Sequence, residues 1–263
     1  FFQQFSFSLG DLFYAIAILL IVKSGVLFFK KRMVAWKLIL GNSLSVISLV
    51  VLFFNVSWGL NYYRIPINSQ VEDINYSYED LNKFTTELIQ KINKLHNKLT
   101  VSDTLKVVLP YNFKENSRIA INSYIKLSKK NMSNNNENSL MIKSLKSISN
   151  FTNSKNNENI KTSIISYPLT YMGFSGYLNP FTHEYNINGL IPNNYIPMVM
   201  SHEIAHEIGF SSEMEANFIG YISLINSDNL YYQYFGHTFA LRQCLNELQK
   251  YKFLSAINHP PLG

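Results

Sequence analysis

A run of 21 residues without an ionisable side chain, Leu38–Trp58, restricts this chain more than any other feature of its sequence. A helix of about 20 apolar residues crosses the roughly 30 Å of bilayer hydrocarbon. An earlier run, Leu12–Val22, is equally free of charge and continues as Gly25–Phe29. Two buried helices of a soluble core are the alternative, but such helices seldom keep uncharged runs this long. We therefore predict two transmembrane helices, at about residues 11–29 and 38–58.

The distribution of charge predicts the orientation of these spans. Residues 1–65 carry six basic side chains against one acid, Asp11, and so hold most of the formal net charge of +6. The connection between the spans, residues 23–37, contains five of the six basic residues and no acid. Basic connections remain in the cytoplasm. We expect an integral protein of the inner (cytoplasmic) membrane, with residues 61–263 on the extracytoplasmic, periplasmic side. Its partner at this end is the lipid bilayer, and nucleic acid is not indicated.

Residues 61–263 predict one mainly α-helical domain with a small β-sheet, an α+β arrangement. Ser77 and Asp80 have the spacing of a helix-starting capping box, and apolar residues follow at helical intervals. Further helices are predicted at about residues 116–129, 197–209, 212–224 and 232–250. The Asn- and Ser-rich segment 131–160 predicts a flexible loop around a short helix near 140–148. The single cysteine, Cys244, excludes an intramolecular disulfide.

Two short strands are predicted in the segment before the helix at 197–209. They cover residues 164–167 and 185–188, on either side of a turn segment rich in glycine and aromatic residues. Residues 184–188 predict an exposed strand edge, which would pair with an extended peptide through main-chain hydrogen bonds.

The sequence HEIAH at residues 202–206 carries the clearest chemistry. His202 and His206 are four residues apart, so both imidazoles project from one face of a helix and together hold one metal ion. Glu203 has the position of a general base that takes a proton from an attacking water. A chance spacing of two core histidines is the alternative, but these polar side chains would be costly on a buried helix without a partner. We predict a site for zinc.

A catalytic zinc ion needs a third protein ligand and one open position. Ser212 stands where the third metzincin ligand would be, and a serine hydroxyl is a poor zinc ligand. Cys244 and His237 are more distant alternatives. Glu213 and Glu215 are better candidates, because a helix that reverses after HEIAH brings both carboxylates near the histidines.

Helical phase favours Glu213 over Glu215 as the third ligand. Glu213 and Asn217 are four residues apart, so the amide of Asn217 is placed to hydrogen-bond a ligand histidine. Glu215 has a structural use as the capping-box partner of Ser212. We predict His202, His206 and Glu213 as the ligands, with Glu215 as the alternative.

Two resemblances extend this interpretation. HEIAHEIGF followed by SEMEANFIGY resembles the gluzincin type of zinc metallopeptidase, in which a glutamate on the next helix completes HExxH and an Asp or Asn follows four residues later. WGLNYYR, YMGFSGYLNPFT, HEIAH and EANF also resemble a bacterial family of membrane-anchored proteins catalogued as a domain of unknown function. This second resemblance covers nearly the whole chain and implies a zincin-like fold with a zinc site, without implying a substrate.

We therefore predict a membrane-anchored zinc metallopeptidase that hydrolyses a peptide or protein substrate outside the cytoplasm, with Glu203 as general base. His237 is the predicted stabiliser of the tetrahedral oxyanion. The alternatives for that role are Tyr221, Tyr231, Tyr232 and Tyr234. The remaining histidines, His96, His183 and His259, are predicted at the surface.

Two other classes of function are consistent with the sequence. One is a catalytically inactive zinc-binding structural or scaffold protein of the cell envelope. The presence of Glu203 argues against it, since a structural site needs no base. The other is a membrane-tethered binding module without a metal.

Overall fold

The computed structural model of the chain describes residues 8–30, 36–67, 76–132 and 160–258. The predicted helix near 140–148 and His259 lie outside these residues. The chain divides into two compact units. The first contains Phe1–Arg64, Asn156–Ile191 and Gly209–Ser212, and the second contains Ile65–Lys155, Pro192–Ile208 and Glu213–Gly263.

The described residues are mainly helical. In chain order the helices are α1 (Leu9–Lys30), α2 (Trp36–Ser57), α3 (Tyr78–Leu99), α4 (Phe113–Met132), α5 (Ser166–Met172), α6 (Ile196–Glu207), α7 (Glu213–Ile225) and α8 (Leu230–Asn258). The strands are β1 (Ile160–Thr162), β2 (Gly176–Leu178) and β3 (Tyr185–Ile187), and short 3₁₀ helices cover Gly59–Tyr63 and Asn193–Tyr195. The prediction of a mainly α-helical chain with a small sheet is confirmed.

The two N-terminal helices coincide with the predicted spans. Residues 9–26 of α1 and the whole of α2 are long and apolar enough to cross a membrane. No side chain of α2 is buried within the protein, so its apolar surface faces the surroundings. Lipid accommodates such a surface at no cost, whereas water does not. The two helices therefore support membrane association.

The small sheet of the first unit has the order β1-β3-β2. β1 runs parallel to β3 with Ile160 opposite Tyr185, and β2 runs antiparallel to β3 with Leu178 opposite the same residue. The side chains of all three β3 residues are buried. The predicted peptide-binding edge at residues 184–188 is therefore wrong, because β3 is the central strand and its main chain pairs on both sides.

The predicted strand at residues 164–167 is also wrong. β1 ends at Thr162, and Ser166 begins α5. The apolar pattern of Ile164-Ile165-Ser166-Tyr167 indicates a strand by itself, but Pro168 is the third residue of α5. In the first turn of a helix the missing amide of proline leaves no hydrogen bond unmade.

The first turn of α1 is fixed by one buried carboxylate of the first unit. Glu184, fully buried, accepts hydrogen bonds from the amides of Leu9 and Gly10 at 3.2 and 2.8 Å and from the Ser8 hydroxyl at 3.3 Å. It also accepts from the Lys161 ammonium at 2.8 Å and from the Thr182 hydroxyl. Because unpaired amides and a positive partial charge occur at a helix N-terminus, a carboxylate stabilises it there.

The second unit is a helical assembly around one core. α3 packs on α8, α6 on α7, α7 on α8, and α4 on α6. The predicted capping box at the start of α3 is confirmed: the Ser77 hydroxyl accepts from the Asp80 amide, and the Asp80 carboxylate accepts from the Ser77 amide. The largest fully buried side chains of this unit are Leu88, Tyr124, Met200, Ile204, Ile219, Leu224 and Tyr232.

α6 and α7 approach closely at Gly220. A β-carbon at this position would lie 3.2 Å from the His202 amide nitrogen and 3.3 Å from the carbonyl carbon of Ser201. Both are backbone atoms, so a β-carbon here would require the two helices to separate by a few tenths of an ångström, and glycine allows the observed separation without that shift. The contact brings the middle of α7 against the part of α6 that carries HEIAH.

Candidate metal centre

HEIAH lies on the last two turns of α6. Pro197 occupies the first turn of this helix, and Gly209, with φ of +99°, follows its end in the left-handed conformation that favours glycine. His206 and Glu203 are buried and His202 is half-buried. The His202 and His206 rings lie 4.6 Å apart and perpendicular to each other. The predicted projection of both imidazoles from one helix face is therefore observed.

Glu213, the first residue of α7, brings its carboxylate to both histidines. Its Oε2 lies 3.2 Å from His202 Nε2, and its Oε1 lies 3.4 Å from His206 Nε2. Among the described residues, these three form the one group of at least three His, Cys, Asp or Glu side chains whose donor atoms could share a metal ion. Its carboxylate side is open, because the Glu213 side chain is 76% exposed.

The potential ligand atoms of the three residues all lie within 4.8 Å of one another, close enough to share one metal ion. Two atoms bound to one tetrahedral zinc ion at about 2.0–2.1 Å are about 3.3 Å apart. The distances of 3.2 and 3.4 Å from Glu213 to the two imidazoles match this spacing. Two imidazoles and one carboxylate are also a donor set that zinc accepts readily. The three residues could therefore hold a metal ion, and their chemistry is compatible with zinc without being specific to it.

Asn217 fixes the orientation of the His202 ring. Its Oδ1 lies 3.0 Å from His202 Nδ1, one turn along α7 from Glu213. An amide oxygen only accepts, so the bond places the His202 proton on Nδ1 and leaves the lone pair of Nε2 directed at Glu213. Burial and the neighbouring His206 lower the pKa of His202, which favours the neutral imidazole that binds metals.

Glu203 is a buried carboxylate that forms no ion pair among the residues the structure describes. It is 4% exposed, and within the same residues its Oε2 has no hydrogen-bond partner. Burial, and then the negative charge of Glu213, raise the pKa of Glu203 to about 8. A pKa near neutrality suits a group that accepts and returns a proton.

Glu207 is a half-buried residue with an enclosed carboxylate oxygen, Oε2, that sequence reasoning did not single out. It follows Glu203 by one helical turn, its Oε2 has no hydrogen-bond partner, and burial raises its pKa to about 9. The sequence did contain a signal for Glu207: a second glutamate directly follows His206 in HEIAHEI. Because Glu207 lies on the same helix and has a similarly raised pKa, its substitution can serve as a control for substitution of Glu203.

The alternative ligands of the sequence analysis are placed elsewhere. The Glu215 carboxylate accepts a hydrogen bond from the Ile67 amide at 2.6 Å, a partner other than the predicted Ser212. Cys244, which is half-buried, does not belong to the His202, His206 and Glu213 group. The helical-phase argument for Glu213 thus identified the carboxylate that contacts the histidines.

His237, the predicted stabiliser of the oxyanion, lies beside Tyr221, with ring centroids 6.3 Å apart. Tyr221 is eight residues along α7 from Glu213, an axial rise of about 12 Å. The Nδ1 atom of His237 is buried without a hydrogen-bond partner, and burial followed by the charge of Lys91 lowers its pKa. Within the described residues, His237 forms no hydrogen bond, ion pair or ring contact with His202, His206 or Glu213. Its role as stabiliser of the oxyanion stays a prediction.

Of the tyrosines considered for the same role, Tyr232 has another partner. Its hydroxyl is fully buried and donates to the Asn116 carbonyl at 2.6 Å. Tyr231 packs edge-on against Tyr111, and Tyr234 lies against Phe235. His183 is exposed at the surface as predicted, and His96 is half-buried with its Nε2 atom 2.9 Å from the Leu105 carbonyl oxygen.

The turn between α6 and α7 is held by residues that directly follow α2. The Arg64 guanidinium lies 4.4 Å above the centre of the Phe210 ring, and the Ser211 hydroxyl donates to the Asn61 carbonyl at 3.1 Å. Gly209 approaches the same two residues, Asn61 and Arg64. Residues 209–212 are covalently joined to His206 on one side and Glu213 on the other. The WGLNYYR segment therefore restrains the connection between the ligand-bearing helices, a role that its sequence did not reveal.

A family model described as "Protein of unknown function (DUF3810)" matches residues 1–257 of the chain. The chain belongs to this family. The match agrees with the resemblance to a domain of unknown function and covers both the apolar helices and the metal centre. Comparison with curated proteins and with solved structures gives no match.

Proposed function

We propose that this member of the DUF3810 family is a membrane-anchored, zinc-dependent metallopeptidase of gluzincin type. The observation that carries the proposal is the convergence of potential ligand atoms of His202, His206 and Glu213 within 4.8 Å of one another beside Glu203. Three protein ligands with an exposed side are typical of catalytic zinc sites, whereas structural sites are closed by four. The zincin-like nature of the fold is part of this proposal.

His202, His206 and Glu213 would hold the ion, and Asn217 would keep the His202 ring in its binding orientation. Zinc in such a site acts as a Lewis acid and makes water nucleophilic near neutral pH. Glu203 would take a proton from the attacking water through its unpartnered Oε2 and return it to the leaving amine. The positive charge of the ion would lower the pKa of Glu203 from about 8 and keep it ionised at neutral pH.

The proposed location of the reaction is the extracytoplasmic side of the inner membrane. Basic residues are concentrated at the facing ends of the two apolar helices and between them, at Lys30, Lys31, Arg32 and Lys37, in the region expected to remain in the cytoplasm. Both outer ends of the helix pair then face away from the cytoplasm, and the metal centre follows the second of them in the chain. The proposed substrates are peptides or proteins of that compartment.

The test compares Glu203→Gln with Glu207→Gln in the full chain, purified in detergent micelles. Metal content is measured by mass spectrometry, and cleavage of a complex peptide library is measured on the same samples. Both variants should bind as much zinc as the wild type. Glu203→Gln should lose about 10²–10⁴-fold in cleavage rate, the usual contribution of general acid–base catalysis, whereas Glu207→Gln should keep most of it.

Two outcomes contradict the proposal. If Glu203→Gln cleaves as fast as the wild type, Glu203 is not the base. If the wild type binds zinc stoichiometrically and cleaves no library peptide, the site is a zinc-binding structural centre. His202→Ala should lose the metal in either case. Retention of zinc by this variant would contradict the predicted metal site.

A further inference from the structure

The first unit exposes a set of apolar and aromatic side chains on one short segment, residues 164–176, here called the aromatic segment. These residues include α5 and contain no Asp, Glu, Lys or Arg. The exposed members, with their exposed fractions, are Ile164 (62%), Tyr167 (70%), Tyr171 (92%), Met172 (58%) and Phe174 (55%). Large apolar residues grouped in this way at a surface mark a contact with another apolar phase.

One carboxylate at the start of α1 holds both ends of the aromatic segment. Asp11 Oδ2 accepts from the Ser163 hydroxyl at 2.9 Å and from the Ile164 amide at 2.6 Å. Its Oδ1 accepts from the Tyr177 hydroxyl. Both ends of the aromatic segment are therefore hydrogen-bonded, directly or through the adjoining residue, to the same carboxylate.

Further contacts place the flanks of the segment beside the apolar helices. The Tyr177 ring lies 6.3 Å from the ring of Tyr14, which is almost one turn beyond Asp11 along α1. The Phe181 ring stacks on Phe53, about one turn before the end of α2, at 5.5 Å. Both helix residues belong to the apolar parts of the spans. Tyr177 of β2 and Phe181, which follows that strand, thus contact the spans inside their outer ends.

These contacts fix the depth of the aromatic segment relative to a bilayer. α5 has seven residues and a length of about 10 Å. The headgroup layer on each side of the hydrocarbon is about 5–8 Å thick. A segment tied to Asp11 at both ends therefore stays within or close to this layer once α1 spans the membrane.

We infer that the aromatic segment is a membrane-docking surface that inserts its side chains at the headgroup–acyl boundary of the outer leaflet. Tyrosine suits this position, because its ring contacts the acyl chains and its hydroxyl reaches the hydrated headgroups. The absence of charged residues from the segment lowers the cost of insertion. The inference rests on the membrane anchoring of α1 and α2 and is independent of the metal centre.

The test measures the depth of a spin label in vesicles of phosphatidylethanolamine and phosphatidylglycerol. Cys244 is the only cysteine of the chain, so Cys244→Ser gives a cysteine-free background. Tyr171→Cys reports on the aromatic segment. Val101→Cys, 96% exposed after α3, serves as the matched aqueous control, and Leu49→Cys in α2 as the lipid control. Accessibility to oxygen and to a water-soluble nickel complex is measured for each labelled protein by power saturation.

The label at position 171 should show a several-fold higher ratio of oxygen to nickel accessibility than the label at position 101. Met172→Cys should give the same result and replaces Tyr171→Cys if that variant does not fold. A ratio at 171 and 172 equal to that at 101 overturns the inference. An aqueous ratio at position 49 overturns the anchoring on which it rests. Neither result bears on zinc binding or cleavage, so the proposed peptidase is judged separately.

Discussion

The two units bury carboxylates in opposite ways. In the first unit, Glu184 is fully buried and accepts hydrogen bonds from two helix amides, two hydroxyls and the Lys161 ammonium. Burial alone would raise the pKa of Glu184, but the bonds from Lys161, Gly10, Thr182 and Leu9 outweigh it and hold the pKa below its ordinary value. In the second unit, Glu203 and Glu207 each keep an oxygen without a partner, and burial raises their pKa values to about 8 and 9.

The number of hydrogen bonds that each carboxylate accepts distinguishes a structural carboxylate, Glu184, from one that is free to accept a proton, Glu203. A fold that supplies five donors to Glu184 can satisfy a buried charge when the role is only to hold elements together. Leaving Glu203 unsatisfied at a site with two imidazoles and a second carboxylate costs stability, and such costs are concentrated at functional sites. Three changes test this contrast.

Removal of the Glu184 charge should have the largest effect. Glu184→Gln replaces the carboxylate in the buried pair with Lys161, which is 3% exposed, by a neutral amide and replaces one of the two oxygens that accept four further hydrogen bonds. We expect a loss of about 3–5 kcal/mol in the free energy of unfolding, measured by denaturation in detergent. Asp228→Asn is the control, because the exposed Lys126–Asp228 pair contributes at most about 1 kcal/mol. Equal losses in the two variants would show that Glu184 is not the centre of its network.

Asn217→Ala should weaken the metal centre without removing a ligand. The variant takes away the acceptor that orients His202, and loss of such a partner lowers metal affinity by about 10–100-fold. Competition with a fluorescent chelator measures the affinity. Asn217→Asp, which keeps an acceptor oxygen, should retain most of it. Equal weakening in the two variants would argue that Asn217 acts only through packing.

The two units should lose stability at opposite ends of the pH range. Glu184 has a lowered pKa in the folded state, so its contribution is present above the unfolded pKa and is lost on acidification. Glu203 and Glu207 have raised pKa values, so the folded protein binds more protons than the unfolded chain between about pH 4.5 and pH 9. Its stability in the metal-free form therefore falls as the pH rises through that window.

The alkaline loss is measured by thermal unfolding of chelator-treated protein across that window. We expect about 1–3 kcal/mol from each group, less than the full shift would give, because water reaches an ionised carboxylate in a buried site. Glu207→Gln should flatten the alkaline side and leave the acid side unchanged. An unaltered alkaline profile in this variant would mean that Glu207 is ionised with little penalty.

Local patterns predicted the elements whose information lies within one or two helical turns. The uncharged runs indicated α1 and α2, and Ser77 and Asp80 marked the start of α3. The four-residue spacings of His202–His206 and Glu213–Asn217 indicated the contacts among these side chains in the candidate metal centre. Each depends on a periodicity that the helix itself enforces. The choice of Glu213 over Glu215 followed from the same rule.

Features that depend on distant partners were not predictable. Whether β3 is an edge or a central strand depends on β1 and β2, and three-residue strands carry little pattern of their own. The partner that Glu215 found in Ile67 and the pairing of Arg64 with Phe210 join residues more than 140 positions apart. The enclosure of the Glu207 Oε2 atom likewise follows from the packing around α6, since its sequence position fits an exposed carboxylate equally well.

The attachment of α1 to Glu184 implies an order of assembly. The hydrogen bonds join residues separated by 174–176 positions in the chain. Ribosomes build a polypeptide from its N-terminus, so α1 is synthesised long before the segment that carries its carboxylate partner. Until then, the amides at the start of that helix depend on water or lipid headgroups. The hydrogen bonds between the start of α1 and Glu184 therefore form late in the biogenesis of this protein.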